Sequence, residues 1–155
     1  MPAQMFAHFS LLAQETGPLG DGKIDNTIID PAVHQWVGVA VVVLFAALAA
    51  YSIYLAVTKR GFDRVALGLT IAAEAILAVQ ILLGIKLLDQ GMGIFQLYIH
   101  YVGGLLPLGI FLGLSWFKFD DERRKVLVYG IAAIVSLLIV LMTYFIGQSF
   151  ANRYA

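Results

Sequence analysis

The chain has 155 residues, no cysteine, and ten basic and ten acidic residues, which give it zero net charge. Hydrophobic residues make up 61% of the sequence and charged residues 13%, whereas soluble domains contain about 45–50% and about 25%. This composition is typical of a membrane protein, and the zero net charge gives no indication of a nucleic-acid partner. The lack of cysteine excludes disulfides, thiolate-bound zinc, iron–sulfur clusters and haem attached covalently through a Cys-x-x-Cys-His motif.

Residues 1–31 are predicted to be an N-terminal tail outside the membrane. Their one apolar stretch, "MFAHFSLLA", is too short to cross a bilayer and lacks the basic start of a signal peptide. Residues 32–155 are predicted to form one transmembrane domain. It contains four apolar runs, each longer than the roughly 20 residues that a spanning helix needs, at about 32–58, 65–88, 95–117 and 126–147. Short polar joints favour antiparallel neighbours, so the expected fold is an all-α, integral membrane, up-down four-helix bundle.

The orientation of the bundle is predicted from its basic residues. The first and third joints carry seven of them, Lys59, Arg60, Arg64, Lys118, Arg123, Arg124 and Lys125, whereas the second joint, 89–93, has none. The positive-inside rule therefore places joints one and three in the cytoplasm of a prokaryotic-type cell. Both termini are expected outside the cytoplasmic membrane.

Two histidines begin the first and third spans at a similar predicted depth near the outer face. His34 is followed four residues later by Gly38 in "HQWVG", and His100 by Gly104 in "HYVGG". Because positions i and i+4 share a helix face, each imidazole has a bare patch beside it. In an up-down bundle these helices are diagonal, roughly 13 Å apart, which is about the reach of two imidazoles with one metal between them. The pattern predicts a haem ligated by His34 and His100.

Simpler interpretations of the same residues exist. Each histidine could bind a lipid headgroup, and glycines at this spacing also occur where helices pack closely. In span two, Glu74, Gln80 and Lys86 point to three different sides, which disfavours a water-filled transport path. Lys86 either extends to the membrane surface or pairs with a haem propionate. In span three, Pro107 is expected to kink the helix.

The stretch "QILLGIKLLDQGMGIFQLYIHYVGGLL", residues 80–106, resembles the haem A synthase family. In that family a Gln-x-Leu-Leu-Gly helix leads through a short outer loop to a helix that opens with a haem-ligating histidine. "HQWVG" is similar to the family's earlier His-Arg-x-x-Gly helix opening. The resemblance implies that His34 and His100 are the axial ligands of one haem b. The predicted cofactor-binding residues are His34, His100, Gly38, Gly104, Gln80 and Lys86.

The chain departs from the family pattern at several positions. The catalytic carboxylate that precedes the first histidine has only Asp30 as a counterpart, and the arginine after that histidine is Gln35. The outer-loop cysteine pair of some members and the second four-helix half are absent. The resemblance therefore implies haem binding more strongly than catalysis. If the protein is an enzyme, the expected class is a haem-modifying oxidoreductase of haem A synthase type.

The expected function is that of a small b-type haem protein of the membrane. Iron with two histidine ligands has no open position, which favours electron transfer with a quinone or another membrane redox protein. The alternative is a haem-free or pigment-binding accessory subunit of a respiratory or photosynthetic membrane complex.

Overall fold

The computed structural model describes residues 27–91 and 98–154, with side chains described up to residue 149 of the last helix. The regular structure in these ranges consists of four helices: α1 (Pro31–Val57), α2 (Arg64–Asp89), α3 (Tyr98–Ser115) and α4 (Glu122–Tyr154). The prediction of an all-α chain with four helices is confirmed, and each helix is long and apolar enough to cross a membrane. The predictions for most of the N-terminal tail and for the centre of the second joint lie outside the described residues.

Aspartates mark the beginning of three helices. The Asp30 carboxylate accepts a hydrogen bond of 2.8 Å from the Ala32 amide, with Pro31 at the first helical position. The Asp63 carboxylate accepts from the amides of the second and third residues of α2, and Asp121 accepts from the Arg123 amide at 2.8 Å. These carboxylates satisfy amides that have no partner within the helix.

The last helix is longer than its apolar run. It begins at Glu122 and ends at Tyr154, whereas the hydropathy pattern placed the span at about 126–147. Asp121 caps the helix ahead of the basic residues, so Arg123, Arg124 and Lys125 belong to its first turn and not to the joint. Hydropathy shows which part of a helix suits a bilayer, but capping determines where the helix begins.

The helices follow one another around the bundle in chain order. α1 contacts α2 and α4, and α3 contacts the same two helices, so α1 and α3 occupy opposite corners. The end of α1 packs with the beginnings of α2 and α4 through Leu55, Ala66 and Val126. Neighbours are therefore antiparallel, and the first turns of α1 and α3 lie at the same end of the bundle, which we call the histidine end. The opposite end, with residues 58–63 and 116–121, is the basic end.

The core contains a ring contact across the bundle. Phe45 of α1 and Phe111 of α3 are buried, and their ring centroids lie 5.8 Å apart. Ala73 of α2 and Ala133 of α4, both fully buried, flank this layer. Small residues on the neighbouring helices allow the two phenyl rings to meet at the centre. This contact sets the distance between the diagonal helices α1 and α3.

The exterior is apolar on all four helices. Large hydrophobic side chains are exposed on each of them, among them Val43, Leu82, Leu106 and Leu138. A helix that is hydrophobic on every side is found inside a large core or a membrane. Trp116, 87% exposed, lies just beyond α3 at the basic end.

The connection between α1 and α2 is held by one carboxylate. Asp63 caps α2 and also accepts a hydrogen bond of 2.8 Å from the Tyr51 hydroxyl of α1. The Ala66 amide and the Tyr51 hydroxyl hold the pKa of Asp63 below its ordinary value. The charged form of Asp63 is therefore the one that the folded protein favours.

Replacing Asp63 should destabilise the protein in a pH-dependent manner. A carboxyl whose pKa is lowered by folding contributes fully above its unfolded-state pKa, and this contribution is lost as pH falls through the lower folded-state pKa. We expect Asp63→Ala to lower the Tm in detergent at neutral pH. The difference in Tm between the variant and wild type should become smaller below about pH 4. Asp63→Asn, which keeps a capping oxygen without the charge, is the control and should lose less stability. A gap for Asp63→Ala that stays constant down to acid pH would contradict this role.

Candidate functional site

The two histidines of the predicted site meet at the histidine end of the bundle. His34 lies in the first turns of α1 and His100 in the first turn of α3, and both are half-buried. Their ring centroids are 6.2 Å apart and their planes are inclined by 60°. The structure thus brings together two residues that are 66 positions apart in the sequence.

The position of this pair follows from the core contact. Phe45 lies eleven positions after His34, and Phe111 lies eleven positions after His100. Eleven residues make about three helical turns, so each histidine lies on the same helix face as its phenylalanine and about 16 Å from it along the axis. Because both faces point along one diagonal, the phenylalanine contact brings the histidines face to face as well.

His100 is fixed by a backbone hydrogen bond. Its Nδ1 lies 2.8 Å from the carbonyl oxygen of Thr143 in α4. A carbonyl can only accept, so Nδ1 carries the hydrogen and Nε2 has the lone pair. In residues 27–91 and 98–149 no hydrogen-bond partner lies at that Nε2. The ring packs on Gly147, where a Cβ would lie 3.1 Å from the His100 Cε1.

His34 has a different partner. Its Nε2 lies 3.1 Å from the side-chain nitrogen of Gln80 in α2. The Nδ1 of His34 and the Oε1 of Gln80 are buried and have no hydrogen-bond partner in the part of the chain that the structure describes. The ring packs on Gly84, where a Cβ would lie 3.3 Å from its Cε1. The imidazole of His34 is thus bonded through Nε2, whereas that of His100 is bonded through Nδ1.

The glycines around His34 and His100 differ in their contacts. A Cβ at Gly38 would lie 3.1 Å from the Gln80 amide nitrogen, so the space beside His34 is already filled. Gly104 has nothing within 4 Å of such a Cβ. The sequence pattern predicted these two glycines but not Gly84 and Gly147, which contact the histidine rings. Gly84 lies near the end of α2 and Gly147 near the end of α4. Because these helices run antiparallel to α1 and α3, their ends lie at the level of the histidines, and this position could have indicated both glycines.

A cavity of about 420 Å³ adjoins the two rings. All four helices contribute to its wall, which is mainly apolar. Its polar side chains include His34, His100, Gln80, Tyr101, Tyr144 and Gln148. Further wall residues are exposed at the start of α1, namely Pro31, Ala32 and Gln35, and on α2 and α3, namely Ile85, Leu88 and Leu105.

Lys86 lies beside this cavity and is not part of its wall. It is buried and forms a salt bridge with Asp89 one turn further along α2. Close by, the Gln90 side chain bonds the amide and the carbonyl of Ile29, at 2.6 and 2.9 Å. This double hydrogen bond ties the segment before α1 to the end of α2. The predicted role of Lys86 toward a propionate stays a prediction.

The number of possible metal ligands is small. In residues 27–91 and 98–149 no group of three or more His, Cys, Asp or Glu side chains is arranged to hold a metal ion. Two imidazoles alone leave a zinc-type tetrahedral site incomplete. A metal between His34 and His100 would need most of its ligands from another molecule.

Comparisons with known proteins add no relative: no family model, no curated protein and no solved structure matches the chain. The resemblance to the haem A synthase family consequently depends on the short motifs around His34 and His100 alone.

The adjacent glycines of α3 should respond differently to a methyl group. A Cβ at Gly103 would collide with the Cγ2 of Thr143 in α4, so in Gly103→Ala the Thr143 side chain or the two helices must shift. We expect a loss of about 1–3 kcal/mol, as for other overpacked cores. The matched control is Gly113→Ala, on the same helix with nothing within 4 Å of its Cβ, which should leave the Tm unchanged or slightly raised. Thermal unfolding in detergent measures both, and equal Tm values would contradict close packing at Gly103.

Proposed function

We propose that the protein is an integral membrane protein that binds one haem b between His34 and His100 and transfers electrons. The observation that carries the proposal is the separation of 6.2 Å between the two imidazole centroids. A metal–nitrogen bond to imidazole measures about 2.0 Å and the ring centre lies about 1.1 Å further on, so two imidazoles on opposite sides of one metal have centroids about 6 Å apart. The separation of the His34 and His100 rings fits this arrangement.

The limited ligand set points in the same direction. His34 and His100 supply two nitrogens, and no third ligating side chain accompanies them in the described ranges. A haem iron brings four equatorial nitrogens of its own and needs only two axial ligands. A cavity of about 420 Å³ with mainly apolar walls lies within the range of about 300–1,000 Å³ that cofactor sites occupy.

His100 is suited to axial ligation by its surroundings. The hydrogen bond from its Nδ1 to the Thr143 carbonyl orients the ring and leaves the Nε2 lone pair available. Histidines that ligate metals generally donate their other ring N–H in this way, which raises the basicity of the ligating nitrogen. For His34, ligation through Nε2 requires that the Gln80 amide give up its contact with that nitrogen.

The membrane setting is part of the proposal. The exposed apolar side chains on every helix support insertion into a bilayer. The seven basic residues around the basic end support a cytoplasmic location for that end. The histidine end, with both chain termini, would then face outward in a cytoplasmic membrane of prokaryotic type.

The bound haem would supply one-electron redox chemistry. The chain itself would contribute two axial imidazoles, an apolar wall that excludes water, and the Thr143 carbonyl that orients one ligand. With both axial positions filled, electron transfer is the natural role, with a quinone or another membrane redox protein as partner. Haem modification of haem A synthase type is the further activity that the motif resemblance implies.

The absorption spectrum of the purified protein tests the haem site. We expect a Soret band and, after reduction with dithionite, the sharp α band of six-coordinate low-spin haem. Both His34→Ala and His100→Ala should lose this α band, because each removes one axial ligand. His8→Ala is the matched control, since His8 precedes the helical domain, and it should keep the wild-type spectrum.

Extraction of the pigment separates the remaining alternatives. A pyridine haemochrome of haem b supports storage or electron transfer, and one of another haem supports modification. A chlorophyll-type pigment, or a colourless protein from cells with ample haem, would overturn the proposal in favour of the accessory-subunit function.

Filling the cavity tests whether the haem occupies it. Gly104 lies in the cavity wall and has open space around it, so Gly104→Leu should remove at least about 90% of the bound haem, because the isobutyl group takes up cofactor space. Gly113→Leu, with equally open space on the same helix but outside the wall, is the control. The ratio of haem to protein is measured for both after the fold is checked by circular dichroism. Equal haem content in the two variants would contradict binding in this cavity.

A further inference from the structure

The two histidines are held in ways that make them unequal as ligands. His100 donates through Nδ1 to the Thr143 carbonyl at 2.8 Å, which keeps its Nε2 free. His34 is engaged through Nε2 itself, 3.1 Å from the Gln80 side-chain nitrogen. The nitrogen suited to bind a metal is therefore available on one histidine and already occupied on the other.

The contact between His34 and Gln80 competes with metal ligation whichever way the amide is turned. If the Gln80 NH₂ group donates, it uses the Nε2 lone pair that would bind a metal. If the Gln80 oxygen accepts, Nε2 carries a proton and has no lone pair to offer. In both arrangements His34 must leave Gln80 before it can ligate, and it can return to Gln80 after ligation ends.

His34 also lacks the support that strengthens a ligand. Its Nδ1 is buried and has no hydrogen-bond acceptor in the part of the chain that the structure describes. Removing such a partner from a metal-bound histidine typically costs about 10–100-fold in metal affinity. The bond from a metal to His34 should therefore be much weaker than the bond to His100.

Displacement of His34 would free the position that its imidazole occupies in the cavity wall. The wall there also includes Gly38, Gln80 and Gly84 of α1 and α2, and the Oε1 of Gln80 is buried and has no hydrogen-bond partner in the described ranges. On the α2 and α3 side the exposed wall residues Ile85, Leu88 and Leu105 are apolar, which suits a small neutral ligand that dissolves in lipid.

From this asymmetry we infer that His34 is an exchangeable axial ligand, that Gln80 holds its imidazole when it is displaced, and that the reduced protein binds a neutral diatomic ligand of the carbon monoxide class on the His34 side. The inference rests on the proposed haem site. In the exchange, His34 would release the haem iron to the lone pair of the incoming ligand, and its own Nε2 would return to the Gln80 amide. One lone-pair donor would replace another, so no electron or proton would be gained or lost.

Titration of the dithionite-reduced holoprotein with carbon monoxide tests this inference. We expect wild type to shift its Soret band with loss of the sharp α band, because carbon monoxide displaces His34. His34→Ala should keep its haem in a five-coordinate state and bind carbon monoxide more tightly, by about tenfold or more. His100→Ala should lose most of its haem, because the better-supported ligand is gone.

Gln80 gives the sharpest test of the exchange. Gln80→Leu removes the group that holds the displaced imidazole, so carbon monoxide affinity should fall by about tenfold, the scale of one hydrogen bond. The matched control is Val79→Leu, which changes the neighbouring residue of α2, exposed on the outside of the bundle and not part of the cavity wall, and should leave the affinity unchanged. A rise in affinity in Gln80→Leu would contradict the role of Gln80.

The failure of this inference can be told apart from the failure of the haem proposal. A low-spin spectrum that carbon monoxide does not change, or equal behaviour of His34→Ala and His100→Ala, would overturn the exchange and leave the haem site standing. A protein without a Soret band would overturn both.

Discussion

The contact between Phe45 and Phe111 at the centre of the bundle is the constraint on which the site depends. It joins the two helices that are diagonal and are not neighbours, with ring centroids 5.8 Å apart. Both helices run in the same direction and repeat the same eleven-position spacing, and the ring centroids of His34 and His100 lie at a similar distance, 6.2 Å. Packing in the core thus determines the separation of two polar groups near the end of the bundle.

The two halves of the bundle, α1 with α2 and α3 with α4, repeat the same arrangement of residues but differ in the hydrogen bond to the histidine. His34, Gly38 and Phe45 of α1 correspond to His100, Gly104 and Phe111 of α3, each pair 66 residues apart. Each histidine packs on a glycine of the following helix, Gly84 or Gly147. The halves differ in the group that meets the imidazole, a side-chain amide in one and a backbone carbonyl in the other. This difference makes two similar histidines unequal, because a carbonyl fixes a tautomer and an amide does not.

A buried polar group without a partner is costly, and two such groups in the described ranges meet at this site. The Nδ1 of His34 and the Oε1 of Gln80 lie in an otherwise apolar wall. Stable packing alone would be better served by apolar side chains of the same size. The arrangement is understandable if these groups contact a bound ligand, which both the proposed haem site and the proposed exchange of His34 require.

The sequence by itself determined the four helices that the structure describes, their antiparallel order and the level at which both histidines lie, because hydropathy and joint length are local properties that a bilayer-sized helix must satisfy. It also selected the cavity residues His34, His100, Gln80, Gly38 and Gly104, but it missed Gly84 and Gly147. Only the tertiary structure decided which nitrogen of each imidazole is bonded, and which of Gly103 and Gly104 packs against a helix and which faces the cavity. These features depend on the rotation of each helix about its axis, which is set by contacts between residues 40 or more positions apart in the chain and leaves no local mark in the sequence.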